Sequence, residues 1–244
     1  MRNLLLALSL CLLGLSLWRA PASAASFSNW AVAIVAGDDH AHSGAKSQVF
    51  DNARRDLVKA FEGIGFSPDN VIQYSLDPDK DAEPTTVSEI ANGLWDLSNR
   101  APGGCLIYFT SHGAFNNGIV VGNDMLAPET WGKIVNNACG SKPAVIVMSA
   151  CFSGQFIPFL ASDNRMIFTA ARPDRTSFGC GESDHYTFFD GCFLQSLPQS
   201  GDFPGLADKV KDCVSRQEQA LGVDYASEPQ LAIGHTVLPM LKWR

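Results

Sequence analysis

The sequence predicts a three-layer α/β sandwich, a mostly parallel central sheet flanked by helices, and two observations carry that reading. Apolar runs rich in β-branched and aromatic residues recur between turn residues, at 30–37, 70–75, 105–111, 144–149 and 165–171. Segments with helical spacing alternate with these runs, and right-handed crossovers between successive strands make the neighbours parallel.

Residues 30–37 read as a first buried strand. In 48–63, Val49, Leu57, Ala60 and Phe61 recur at helical spacing. A second strand spans 70–75, and 77–84 is a charged loop with two prolines. Residues 85–97 form a helix with Thr85 or Thr86 as its N-cap. After the strand at 105–111, residues 118–121 suggest a small hairpin and 128–137 a crossover helix leading into 144–149. The strand at 165–171 and helices at 185–194 and 204–221 complete the order. Trp95 and Trp131 fall on helix patterns and read as core.

The 244-residue chain opens with Arg2, an apolar stretch over 4–17 and the small-x-small string Ala22-Ser23-Ala24. That stretch is shorter than the ~20 residues of a membrane span, and nothing later is apolar enough to span a bilayer. Residues 1–24 therefore read as a signal peptide and 25–244 as one domain, secreted or periplasmic. A net charge of −7 argues against nucleic acid or anionic lipid as a partner. Without Cys11, six cysteines remain. Cys105 reads as a small apolar strand residue. Cys139, Cys180, Cys192 and Cys213 allow three pairings in an oxidising compartment, a Cys180–Cys192 bridge among them.

The chemistry gathers at two strand ends. One run stops at His112-Gly113 and the other at Ala150-Cys151. Parallel neighbours place both carboxyl ends at the sheet edge where open α/β folds bind ligands. His112 and Cys151 then face one cleft, the geometry of a thiol protease. A cysteine attacks as thiolate and needs a base beside it, and histidine serves as that base and later as the acid. The backbone N–H groups of Gly113 and Cys151 are candidate oxyanion donors, and Ser153-Gly154 permits a sharp turn. The bland alternative is a disulfide partner and a loop histidine. No cofactor is called for. Asp38-Asp39-His40 and His42 lack the spaced partners of a metal shell and read as a loop lining the cleft. His185 reads as a pocket-wall residue or second base, and His235 as structural or solvated.

Tyr108-Phe-Thr-Ser-His-Gly113, Val147-Met-Ser-Ala-Cys-Phe-Ser-Gly154 and Thr169-Ala170-Ala171, in that order, resemble the legumain family of cysteine peptidases, family C13 of the caspase-like clan. The similarity runs over about 30–197. It implies a caspase-like sandwich and a cysteine endopeptidase acting on a peptide or protein substrate. Cys151 is then the nucleophile, His112 the general base and acid, and Gly113 an oxyanion donor, with Ala170 among the substrate-binding positions. The chain departs from the family at the specificity pocket. An Arg-His pair is replaced by Phe50-Asp51, and the acid two places before the nucleophile by Ser149. A third pocket acid aligns loosely with Asp184, which otherwise reads as a surface or N-cap residue. These changes argue against strict cleavage after Asn and lean towards a cationic or small polar residue. A transpeptidase or ligase on the same site, and a non-catalytic peptide-binding protein on the same scaffold, are the rival readings.

Overall fold

Strand β1 (Trp30–Ala36) is buried at every position, as expected of a strand covered on both faces. It opens a computed structural model that describes residues 27–244; the expected signal peptide and Cys11 lie outside the described residues. There follow α1 (Val49–Glu62), β2 (Val71–Ser75), β3 (Glu83–Pro84), α2 (Val87–Arg100) and β4 (Gly104–Thr110). Next come β5 (Gly113–Ala114), β6 (Gly118–Val121), β7 (Asp124–Leu126), α3 (Pro128–Cys139) and β8 (Ala144–Ser149). The order closes with α4 (Ile157–Leu160), β9 (Arg165–Thr169), α5 (Phe188–Ser196), α6 (Phe203–Ala220) and β10 (Gln230–Ile233).

The main sheet has seven strands in the order β10-β9-β8-β4-β1-β2-β3, parallel except where β10 meets β9. Alternation of side chains along each strand sends successive residues to opposite faces. Val32, Ile34, Leu106, Tyr108, Val145 and Val147 pack with α1, α5 and α6. Ala33, Val35, Ile107, Phe109, Ile146 and Met148 pack with α2, α3 and α4. This is the three-layer sandwich that the sequence predicts.

The differences are local and have causes. The strand read at 165–171 stops at Thr169. Residues 118–121 form the centre of a three-stranded antiparallel sheet, β5-β6-β7. Glu83 and Pro84, read as loop, pair with β2 at the sheet edge, where a proline's missing N–H costs no ladder bond. β10 and the short α4 carry too weak a period to read from sequence. Thr86 caps α2 by accepting from the Glu89 amide, while buried Thr85 donates to the Ala36 carbonyl. α5 begins at Phe188 rather than at 185, because Thr187 caps it through the Asp190 amide.

Two disulfides correct the cysteine reading. Cys105 joins Cys139, the last residue of α3, with Cα atoms 6.1 Å apart. Cys192 on α5 joins Cys213 on α6 at 5.7 Å. The α2–α3 face of β4 carries Cys105 to the end of α3, so it is a crosslink and not only an apolar filler. Cys192 faces α6 rather than the loop before α5, and Cys180 remains a free thiol. By loop closure each bridge stabilises the fold by roughly 3–4 kcal/mol.

Candidate active site

β4 and β8 pair in parallel with Thr110 opposite Ser149, and the Ser111 amide donates to the Ser149 carbonyl at 3.1 Å. His112 and Cys151 each stand two residues beyond that pair. The strand ends are held together by backbone contact. A Cβ on Gly113 would lie 2.1 Å from the Cys151 carbonyl oxygen, so only glycine fits. The chain then turns through Phe152 at φ 58°, a left-handed conformation uncommon for a side chain of that size. Three contacts dock the turn on the segment after β9. The Phe152 amide donates to the Arg175 carbonyl, the Gly154 amide to that of Ala171, and the Ala171 amide to Ser153 Oγ. A Cβ on Gly154 would meet Pro173 N at 2.7 Å.

His112 is oriented by the loop after β1. Its Nε2 lies 3.0 Å from the His40 carbonyl oxygen, which can only accept, so Nε2 carries the proton and Nδ1 is the basic nitrogen. The Phe50 ring packs edge-to-face on the imidazole, with centroids 5.1 Å apart. Asp38 shapes the loop by accepting from the Asp39 and His40 amides and contacting His40 Nδ1. The Asp38, Asp39 and His40 donor atoms converge, but Asp38 serves its own loop and Asp39 pairs with Lys46. What the loop brings to the cleft is a carbonyl oxygen and the His42 side chain. Asp51, beside Phe50, turns to Arg54 and Arg55. Cys151 Sγ accepts from the Ser177 amide at 3.2 Å. Burial pushes its thiol up, and backbone hydrogen bonding draws it part of the way back.

Two joined cavities open beside the pair, and His112, Cys151, Ser177, Phe178 and Cys180 wall both. The smaller, bounded also by Phe50, Ser111, Ser149 and Thr187, holds about 10 Å³, room for roughly one water. The larger, about 400 Å³, runs past His42, Gly113 and Phe152. Beneath the small cavity lies Asp190, fully buried. Its carboxylate accepts from Tyr108 at 2.7 Å and Thr110 at 2.6 Å. Burial raises its pKa, against the pull of the Thr110, Ser149, Tyr108 and Thr187 hydroxyls.

Of the positions expected to bind substrate, Phe50 and Ser149 stand in the small cavity with His112 and Cys151. Ala170 lies instead in the core, its amide bonded to the Met148 carbonyl. Asp184 closes a turn by accepting from the Gly181 amide and walls neither cavity. The acid beneath the pocket is Asp190. Sequence reasoning also misses Thr187, Ser177 and the His40 carbonyl. Asp190 has a signal, a lone carboxylate in the apolar string Phe188-Phe-Asp-Gly-Cys-Phe193 three residues after a Thr cap. His185 contacts Asn52 and Tyr186, and His235 is exposed.

Three comparisons with known proteins bear on this geometry. No curated protein matches the chain. A crystal structure of caspase-1 from Spodoptera frugiperda matches with a TM-score of 0.62 at 16% identity, covering 88% of this chain and 90% of that one. At that identity the likeness is one of fold, and the fold is caspase-like. The Peptidase C13 family model matches residues 93–217, just over half of the chain. That span holds both strand ends, the turn after Cys151 and the buried Asp190, and the chain belongs to the peptidase C13 family.

Proposed function

We propose that this chain is an exported cysteine endopeptidase of the legumain type that hydrolyses peptide bonds through a thioester on Cys151. The observation that carries the reading is the equal offset of His112 and Cys151 beyond the Thr110–Ser149 pair, with His112 Nε2 occupied by the His40 carbonyl. His112 Nδ1 takes the thiol proton as the sulfur attacks the scissile carbonyl carbon. The oxyanion faces the backbone N–H groups of Gly113 and Cys151. The imidazolium then protonates the leaving amine, and a water that gives its proton to Nδ1 cleaves the thioester. Burial keeps the resting thiol protonated, so the base acts as substrate arrives rather than beforehand.

The small cavity receives the side chain preceding the scissile bond. Its walls carry no Asp, Glu, Lys or Arg, and Asp190 is sealed beneath the hydroxyls. A small uncharged residue fits there, and the lean towards a cationic one loses its support with Asp184 outside. Two disulfides suit an oxidising compartment and so support export. No helix among the described residues is long and apolar enough to cross a membrane.

A peptide library varied at that position tests the reading, with Cys151→Ala as control and an electrophilic thiol probe as second readout. Cleavage after Gly, Ala or Ser, absent in the control, is expected. Cleavage confined to Asn, or to Arg and Lys, would show the pocket misplaced. No turnover together with no probe on Cys151 would overturn the peptidase reading itself. Product mass in the presence of an added amine separates hydrolysis from transfer.

A further inference from the structure

Six cysteines lie among the described residues; four are paired, and the two free ones, Cys151 and Cys180, wall the same two cavities. Acyl transfer uses His112, Cys151 and Gly113 and has no task for a second thiol. Cys180 sits in a segment without helix or strand, between Gly179 at φ 85° and Gly181. Three residues earlier, the Ser177 amide already rests on Cys151 Sγ. The Cys180 carbonyl accepts from the His42 amide, and the Phe178 carbonyl accepts from the Phe188 amide, so the segment is tethered across the cleft mouth.

We infer that Cys151 and Cys180 form a dithiol modification site, which peroxides convert reversibly into a disulfide that covers the nucleophile. The Cys151 thiolate attacks one peroxide oxygen, the O–O bond breaks, and the departing hydroxide takes up the proton lost by the thiol as water. Cys151 is then a sulfenic acid. The Cys180 thiolate attacks its sulfur, the S–O bond breaks, and a second hydroxide leaves and is protonated to water. Two thiols supply two electrons to one peroxide. Without Cys180 the sulfenic acid stays open to further peroxide and proceeds to the irreversible sulfinic acid. An external dithiol reopens the bridge by exchange and is itself oxidised to a disulfide, so the nucleophile is recovered instead of lost to the sulfinic acid. The site requires only the two thiols and stands apart from the peptidase reading.

The test treats the folded protein with hydrogen peroxide, blocks remaining thiols with a maleimide, and maps peptides by mass. In the wild type a linked 151–180 peptide is expected, with the two existing bridges unchanged and Cys151 labelling restored by dithiothreitol. In Cys180→Ser, dithiothreitol should restore on the order of tenfold less labelling, with sulfinic acid at Cys151. Equal irreversible oxidation of Cys151 in both proteins would overturn the inference. So would two thiols still open to maleimide after peroxide, or a link from Cys151 to any other cysteine. If Cys180→Ser does not fold, the wild-type peptide map decides alone.

Discussion

The two walls of the cleft are built differently. On one side stand the ends of β4 and β8, paired residue by residue and joined at Gly113 by backbone contact. On the other runs the segment 172–187, free of helix and strand and tied down by separate hydrogen bonds, among them those at Arg172, Arg175, Ser177, Phe178 and Cys180. The strand wall carries the groups that do chemistry, which need a geometry held to fractions of an ångström. The loop wall supplies Ser177, Phe178 and Cys180, which decide what reaches them. Loops on a rigid scaffold vary cheaply, and that is where specificity resides.

The largest effect should come from the strand wall. His112→Ala is expected to lower turnover by roughly 10²–10⁴-fold with substrate binding little changed, measured by steady-state kinetics on the folded variant. Near-normal turnover would move the base off the strand wall, to His42 or His185, and break the comparison.

Asp190→Ala asks whether the strand wall is anchored from below. It strands the Tyr108 and Thr110 hydroxyls in the core, a loss on the order of 3 kcal/mol. For a domain of this size that lowers Tm by about 6–12 °C in a thermal melt. Asp190→Asn, which keeps an acceptor oxygen, should cost less. An unshifted melt would mean that the strands need no anchor on α5.

Phe178→Ala sharpens the comparison from the loop side. Phe178 walls both cavities, so removing its ring widens the small space towards the large one. Cleavage after Leu relative to Ala should rise by about tenfold, within the range that a few methylenes command in an apolar pocket. An unchanged library profile would assign specificity to the strand wall instead.

The smallest effect is one of pH. Burial raises the Cys151 thiol, so alkylation by iodoacetamide should reach half its maximal rate above the ordinary cysteine value of about 8.5. A midpoint below that value would show that a positive partner outweighs burial in the resting protein.

The strand wall is legible in the sequence because its signal is local: apolar runs stop at His112-Gly113 and Ala150-Cys151, and the crossover rule sets them side by side. The loop wall has no period to read. Asp190 escapes because its carboxylate partners, Tyr108 and Thr110, lie on a strand some 80 residues earlier. Asp184 attracts the same role because it stands just before the aromatic string, and the late start of α5 at Phe188 removes it. Cys105 misleads for a related reason. Burial in a strand is visible from its neighbours in sequence, whereas the sulfur it meets depends on which face it occupies.

The contact between Gly113 and the Cys151 carbonyl also bears on how such a chain can change over time. Because that contact fixes how closely the two strand ends approach, the backbone interval beneath base and nucleophile belongs to the main chain. Segment 172–187 can therefore exchange side chains away from Ser177, whose amide holds the Cys151 sulfur, and from Thr187, which caps α5, without changing that interval. The positions that touch Cys151 or the turn after it are held back, among them Pro173, Arg175 and Ser177. New substrate preferences are open to this scaffold through the loop, while the interval between His112 and Cys151 is closed to drift.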